Sequence, residues 1–319
     1  MNIESSSNGG TLRNIGAVVL TILLVSLSNA KNVTAAESGS ALYIGGSVAF
    51  GAGVTPPPGT YLTFGGLFYD GKVRAVILDG LISLNVRKTA YANVANVMYV
   101  LPSGLAGGRL AISASLPFAS FADLHASAAG AVVGRLKTSG WGLGDLSVKV
   151  QNGWTYGGFS HTASITAWLP TGRYDPGFSP NAGKNHIGFD FSWAFTQFWK
   201  GTNIELSGAF GLSVELENPT TNYRNGNTAH AEVALGYRTK SGLTIGAAGY
   251  AIKQLTGDRG RGATLGPFKR EVYALGPALS YSGLIGGIPV SISARHYREL
   301  KAVNTFKGHI SFVTITGKF

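Results

Sequence analysis

Three features of the sequence predict an all-β fold: a transmembrane up-and-down antiparallel β-barrel of about twelve strands, with short periplasmic turns and longer external loops. Segments of about ten residues recur, the length a tilted strand needs to cross a bilayer. Several alternate apolar and polar side chains, and successive side chains of a strand point to opposite faces. The links between segments are short and long in turn. An up-and-down barrel has two distinct rims and gives that pattern, whereas a Greek-key sandwich has no reason to.

Composition agrees. Only 13% of the residues are charged, where a soluble protein carries about a quarter. Apart from residues 15–27, the apolar runs are far shorter than the eighteen residues a spanning helix needs, so any crossing is left to strands. The absence of cysteine removes disulfides, thiolate catalysis and cysteine-bound zinc together. The net charge of +11 is scattered in pairs near the links, Arg87 with Lys88, Arg259 with Arg261, Lys269 with Arg270. No nucleic-acid motif accompanies it, so an anionic lipid surface or an anion-favouring pore fits better and no nucleic acid is expected as a partner.

Residues 1–35 read as a signal peptide. Arg13 supplies the positive start, residues 15–27 a thirteen-residue apolar run, and Ala30 or Ala35 a small residue for cleavage. Residues 36–59 are expected as a periplasmic N-terminal segment and 60–319 as the barrel, exported to the bacterial outer membrane. The strands are expected at 61–69, 91–101, 109–116, 143–154, 159–169, 187–198, 203–217, 227–238, 243–256, 270–282, 289–299 and 309–319.

The clearest faces come from the sixth, seventh and eighth. Phe189, Phe191, Trp193 and Phe195 oppose Asp190, Ser192, Ala194 and Thr196. Ile204, Leu206, Phe210, Leu212, Val214 and Leu216 oppose Glu205, Ser207, Ser213, Glu215 and Glu217. Val233, Leu235 and Tyr237 oppose His230, Glu232 and Ala234. The ninth segment gives no clear phase. In the last, Ser311, Val313, Ile315 and Gly317 oppose Ile310, Phe312, Thr314, Thr316 and Lys318. It ends on an aromatic residue, as the closing strand of an outer-membrane barrel does, and Phe319 is the expected signal for the barrel-assembly machinery.

Two of the longer links, 70–90 and 117–142, are unusually apolar. They are expected to fold inward as a plug, dip into the lipid interface or close over an apolar ligand, or else to hide an extra strand pair.

The phasing places Arg109, Asp145, Lys149, Asp190, Glu205, Glu215, Glu232, Arg295, Glu299 and Lys318 on the inner face, lining a water-filled pore or pairing across it. The histidines, His125, His161, His186, His230, His296 and His309, include no pair at metal-binding spacing within a segment, so neither a metal nor another cofactor is expected. Ser311 lies two residues after His309, and His161 follows Ser160. A lipid-facing Ser–His pair is the one catalytic constellation available, for a lipid-modifying enzyme, and no third residue to orient it is evident. Glycines 140, 142 and 144 form a G-x-G-x-G run without a helix after it; they read as a bend at a strand start.

The order of short motifs resembles a known family. Gly142-Leu143-Gly144-Asp145, Leu169-Pro170-Thr171-Gly172-Arg173-Tyr174-Asp175, residues 181–186, Glu217-Asn218-Pro219 with Asn222-Tyr223, Gln254-Leu255-Thr256-Gly257-Asp258, Gly276-Pro277 and the terminal Phe319 are similar to the outer-membrane proteins grouped as "MetA-pathway of phenol degradation". The resemblance runs over residues 57–319, and the segment before Tyr91 is more apolar than it leads one to expect. It implies an outer-membrane barrel, non-enzymatic, that admits small hydrophobic or aromatic compounds by passive uptake. Outer-membrane lipid and lipopolysaccharide would surround it. A plugged structural or adhesive barrel and the lipid-modifying enzyme are the alternatives.

Overall fold

The computed structural model describes residues 41–77, 82–128, 131–139, 142–176, 181–263 and 266–319. The expected signal peptide and both cleavage positions lie outside them.

The strands are β1 (Gly59–Ile77), β2 (Ile82–Val100), β3 (Arg109–Ala128), β4 (Ala131–Ser139), β5 (Leu146–Tyr156), β6 (Phe159–Leu169) and β7 (Gly188–Trp199). They continue as β8 (Ile204–Glu215), β9 (Thr228–Arg238), β10 (Leu243–Gln254), β11 (Glu271–Ile285), β12 (Ile288–Val303) and β13 (Lys307–Lys318). Each barrel strand pairs antiparallel with its neighbours, and β1 pairs with both β2 and β13. That last pairing, from Tyr61 opposite Lys318 to Lys72 opposite Lys307, closes the ring. Twelve strands make the ring, because β4 pairs with β3 alone.

The apolar links 70–90 and 117–142 are largely strand. β1 and β2 stay paired out to Ile77 opposite Ile82. β3 pairs with β5 only over its first residues, Arg109–Ser115, and beyond them with β4. The described apolar residues of these links, such as Val76, Ile77, Ile82, Val132 and Val133, are strand residues of the pairs β1–β2 and β3–β4, and their β-branched content suits them to it.

The alternation seen in the sequence holds. Phe191 and Trp193 are 49% and 42% exposed, whereas Asp190 between its neighbours is 3% exposed. The exposed face runs on through Phe210, Val233, Leu235, Val313 and Ile315. In water such a surface would be costly; against hydrocarbon it costs nothing.

The phase of β10, unreadable in the sequence, is set by packing inside the ring. Tyr250 and Ile252 are buried with Ala248, while Ile245 is exposed. They join Val272, Ala274, Tyr297, Ile310 and Phe312 in one apolar cluster. One side of the interior, along β10–β13, is therefore mainly apolar, with Arg295 and Glu299 of β12 as charged members. The side along β7–β9 carries Asp190, Glu205, Glu215, His230 and Glu232.

Candidate functional site in the barrel interior

The stretch 41–58, expected in the periplasm, instead runs along the inside of the ring. A segment with no sheet partner must have its backbone groups satisfied by side chains, and here the wall supplies them. Carboxylates receive the amides: Leu42 N–H donates to Glu215 (3.2 Å), Gly46 and Val48 N–H to Glu232 (3.1 and 2.7 Å), and Gly51 N–H to Glu205 (2.7 Å). Gly53 N–H donates to Thr196 Oγ1 at 3.0 Å. Guanidiniums and hydroxyls reach the carbonyls. Arg295 donates to Ser47 O (2.9 Å), Arg109 to Thr55 O (2.9 Å) and Thr162 to Gly53 O (2.9 Å).

Glycine is required where the segment touches the wall. A Cβ on Gly53 would stand 2.4 Å from Phe195 Cα, which is backbone and cannot move aside. Gly46 adopts φ +83°, with the Tyr297 ring 2.7 Å from where its Cβ would be.

Six of the ten residues phased inward hold this segment or brace its partners, and a seventh, Lys149, shares their face. Glu232 also accepts from the Tyr43 hydroxyl at 2.6 Å. Tyr43 in turn stacks on His230 at 3.5 Å. His230 Nε2 lies 2.7 Å from Asp190, which also accepts from Ser192 and, at 2.6 Å, from Ser213. Glu215 is held by His186 Nε2 at 2.8 Å and by Asn225 at 2.6 Å. Glu205 is bound by Arg238 and Ser207. The remaining members of this set are Arg109, Arg295 and Lys149. Lys149 shares a cross-strand row with Thr166 and Asp190. Arg295 also lies over the Phe312 ring at 5.2 Å.

The other three sit apart. Glu299 is inside but serves the wall, accepting from Tyr69 and Tyr250 (both 3.0 Å) and from Gly308 N–H (2.6 Å). Lys318 lies at the periplasmic mouth over the Tyr61 ring, 5.9 Å from its centre. Asp145 does not face the interior. It precedes β5 and clamps the β6–β7 loop, accepting from Gly172 N–H (2.9 Å) and Lys184 N–H (2.6 Å). Strand alternation stops at the strand end, so the phase carried no meaning there.

Two of the motifs behind the family resemblance, those holding Asn218 and Asp258, do the same work at the external rim. Asp258 accepts from Tyr223 (2.6 Å), Gly226 N–H (3.1 Å) and Gln254 (2.6 Å). Asn218 pairs its backbone with Tyr223 and its side chain with Tyr174. They tie loops to one another.

The Ser–His candidates fare differently. Ser311 meets His296, not His309: His296 Nδ1 lies 2.8 Å from Ser311 Oγ, and His296 stacks on His309. Ser160 is turned inward to Thr155, while His161 stacks on Trp154 on the other face. The sequence reading missed Tyr43, His186, His230 and Arg238 as partners of the acidic residues. It also missed the segment itself, whose one visible signal was glycine at 45, 46, 51 and 53.

The ring, its exposed apolar belt and its occupied interior define a β-barrel of the outer-membrane kind. The chain belongs to the family described as "Putative MetA-pathway of phenol degradation", whose pattern matches residues 71–312. Among solved structures it is similar to the COG4313 outer membrane channel from Pseudomonas putida F1. The TM-score is 0.67 at 12% identity, over 85% of this chain and 99% of that one. It is less similar to the β domain of the Bordetella autotransporter BrkA, with a TM-score of 0.46 at 10% identity over 83% of this chain and all of that one. No curated protein matches the chain significantly.

Proposed function

We propose that the protein is an outer-membrane channel for passive uptake of small hydrophobic or aromatic compounds, working without catalysis or a cofactor. In this reading the N-terminal leader is cleaved on export after Ala30 or Ala35, and Phe319 is read by the barrel-assembly machinery. The observation that carries the proposal is the two-sided interior. Tyr250, Ile252, Val272, Tyr297 and Phe312 form an apolar cluster along β10–β13 against which Ala49 and Phe50 of the inner segment pack, while carboxylates of the opposite side and Arg295 of β12 hold the segment's backbone. A channel for ions or sugars is lined by polar groups all round. Uncovered by movement of the segment, such a surface lowers the cost of an aromatic solute leaving water.

The test is entry of phenol or an aromatic carboxylic acid into liposomes holding the purified protein. Flux above that of empty vesicles is expected; its absence for every such solute sinks the proposal.

A second reading is a plugged structural or adhesive barrel, favoured by the number of hydrogen bonds on the inner segment. Single-channel recording separates the two, because a sealed barrel gives no conductance steps. The lipid-modifying enzyme now rests on His296 and Ser311, and phospholipid turnover compared with Ser311→Ala tests it.

A further inference from the structure

The outer wall where β12, β13, β1 and β2 adjoin is graded from apolar to cationic. Pairing places residues directly opposite one another on the same face. Nearest the membrane centre, Phe64 lies opposite Ile315, and both are about half exposed. Two rows further toward the external rim, His296, Ser311, Phe68 and Tyr91 form one row across the four strands. His296 and Ser311 are hydrogen bonded there at 2.8 Å. In the next row Arg298, His309 and Asp70 lie side by side. In the last, Lys307 is opposite Lys72, and Lys72 is opposite Arg87.

Like charges directly opposite one another in a sheet are destabilising. Three cations in one row, with Arg298 and His309 beside them, need an anion. Asp70 supplies one, but it is engaged by Arg87 through two hydrogen bonds of 2.8 and 2.5 Å. Lys72, Arg298 and Lys307 are exposed and have no hydrogen-bond or ion-pair partner among the described residues. They border an open pocket of about 390 Å³ together with Arg87, His309 and the two carboxylates Asp70 and Glu299, the first engaged by Arg87 and the second by Tyr69, Tyr250 and Gly308 N–H. Neighbouring strands are about 4.8 Å apart, so the free cations, from Arg298 on β12 to Lys72 on β1 one row further on, span roughly 12 Å. One phosphate cannot satisfy that width; two phosphates at the ends of a disaccharide can.

We infer that this face binds the phosphorylated disaccharide headgroup of an outer-leaflet glycolipid, the lipid A portion of lipopolysaccharide. Lys72, Arg298 and Lys307 take the phosphates. His296, Ser311 and His309 meet the hydroxyl and amide groups of the sugar. The acyl chains lie along Phe64, Val313 and Ile315. The inference rests on the outer-membrane reading of the preceding subsection but not on transport of any solute.

The experiment uses the full-length barrel in phosphatidylethanolamine vesicles carrying a small fraction of lipid A, with lipid bound per barrel counted by native mass spectrometry. Parallel vesicles carry dephosphorylated lipid A, or phosphatidylglycerol at matched charge, and a further set receives inorganic phosphate as competitor. Saturable binding of lipid A is expected, at least tenfold tighter than of the dephosphorylated lipid and weakened by salt. The triple variant Lys72→Gln/Arg298→Gln/Lys307→Gln should lose tenfold or more. The double variant Lys200→Gln/Lys240→Gln, which removes charge at the opposite rim, should lose nothing. Lys72→Arg/Lys307→Arg should retain binding.

Phosphatidylglycerol binding as tightly, inorganic phosphate displacing the lipid, or a triple variant within twofold of wild type would each overturn the assignment. If the triple variant fails to fold, the wild-type preference for phosphorylated over dephosphorylated lipid A decides alone. A barrel that does not insert into vesicles refutes the membrane reading. One that inserts without preferring lipid A refutes only this site.

Discussion

Val48 donates its amide to Glu232 at 2.7 Å across 184 positions of sequence, and the same carboxylate takes the amide of Gly46 and the hydroxyl of Tyr43. One buried side chain thus collects three donors from the inner segment. A buried carboxylate is tolerated only when its lone pairs are filled, so wall and segment depend on each other. A hydrogen bond to a charged group contributes about 1.5–3 kcal/mol, and more is lost when a donor is left stranded in a dry site.

Replacing Glu232 by Ala should release the middle of the segment. The expected outcome is a barrel that still folds, melts at a lower temperature and conducts ions in larger or more frequent steps than wild type. Planar-bilayer recording with heat-dependent gel mobility checks both. Unchanged conductance would show that the segment does not limit the passage.

Gly53 offers the same test without touching a charge. Its Cβ position lies 2.4 Å from Phe195 Cα and 2.6 Å from Ser160 O, both backbone. Gly53→Val must therefore push the segment off the wall and break the bond from Gly53 N–H to Thr196. It should raise conductance as Glu232→Ala does. If only the Glu232 variant does so, charge in the interior, not occlusion, sets the current.

Asp145 ties two loop amides at once, from Gly172 and Lys184, at the external rim. Asp145→Ala should cost about 2–4 kcal/mol from two charge-assisted bonds. It should also make the β6–β7 loop the first site cut in limited proteolysis from the external side. Solute flux, which this residue does not touch, should stay within twofold of wild type.

Most of the wall was legible and most of its interior was not. Asp190 between Phe189 and Phe191, or Glu205 beside Leu206, reveals its face because lipid and lumen demand opposite chemistry of neighbouring residues. β10 defeats that rule, since Tyr250 and Ile252 point inward to the apolar cluster and look no different from lipid-facing residues. The segment at 41–58 has no periodicity at all. Its backbone is held by residues on six strands, β3, β6, β7, β8, β9 and β12, and a list of charges cannot distinguish a carboxylate lining water from one that binds a backbone amide. Asp145 was misplaced because strand phase was carried one residue past the strand.

The apolar side of the interior gives the last prediction, through two tyrosines that look alike in sequence. Tyr250 and Tyr297 pack edge to face at 5.3 Å. The Tyr250 hydroxyl donates to Glu299 at 3.0 Å. The Tyr297 hydroxyl is buried without a hydrogen-bond partner among the described residues. Tyr250→Phe strips the Glu299 carboxylate of a donor and should lower stability by about 1.5–3 kcal/mol. Tyr297→Phe removes an unsatisfied polar atom from a packed apolar site and should be neutral or slightly stabilising. Chemical denaturation of the two variants in detergent or vesicles measures the difference. Equal losses would mean that the Tyr297 hydroxyl has a partner in the membrane, a water or a solute, and that the apolar wall is wetter than its side chains indicate.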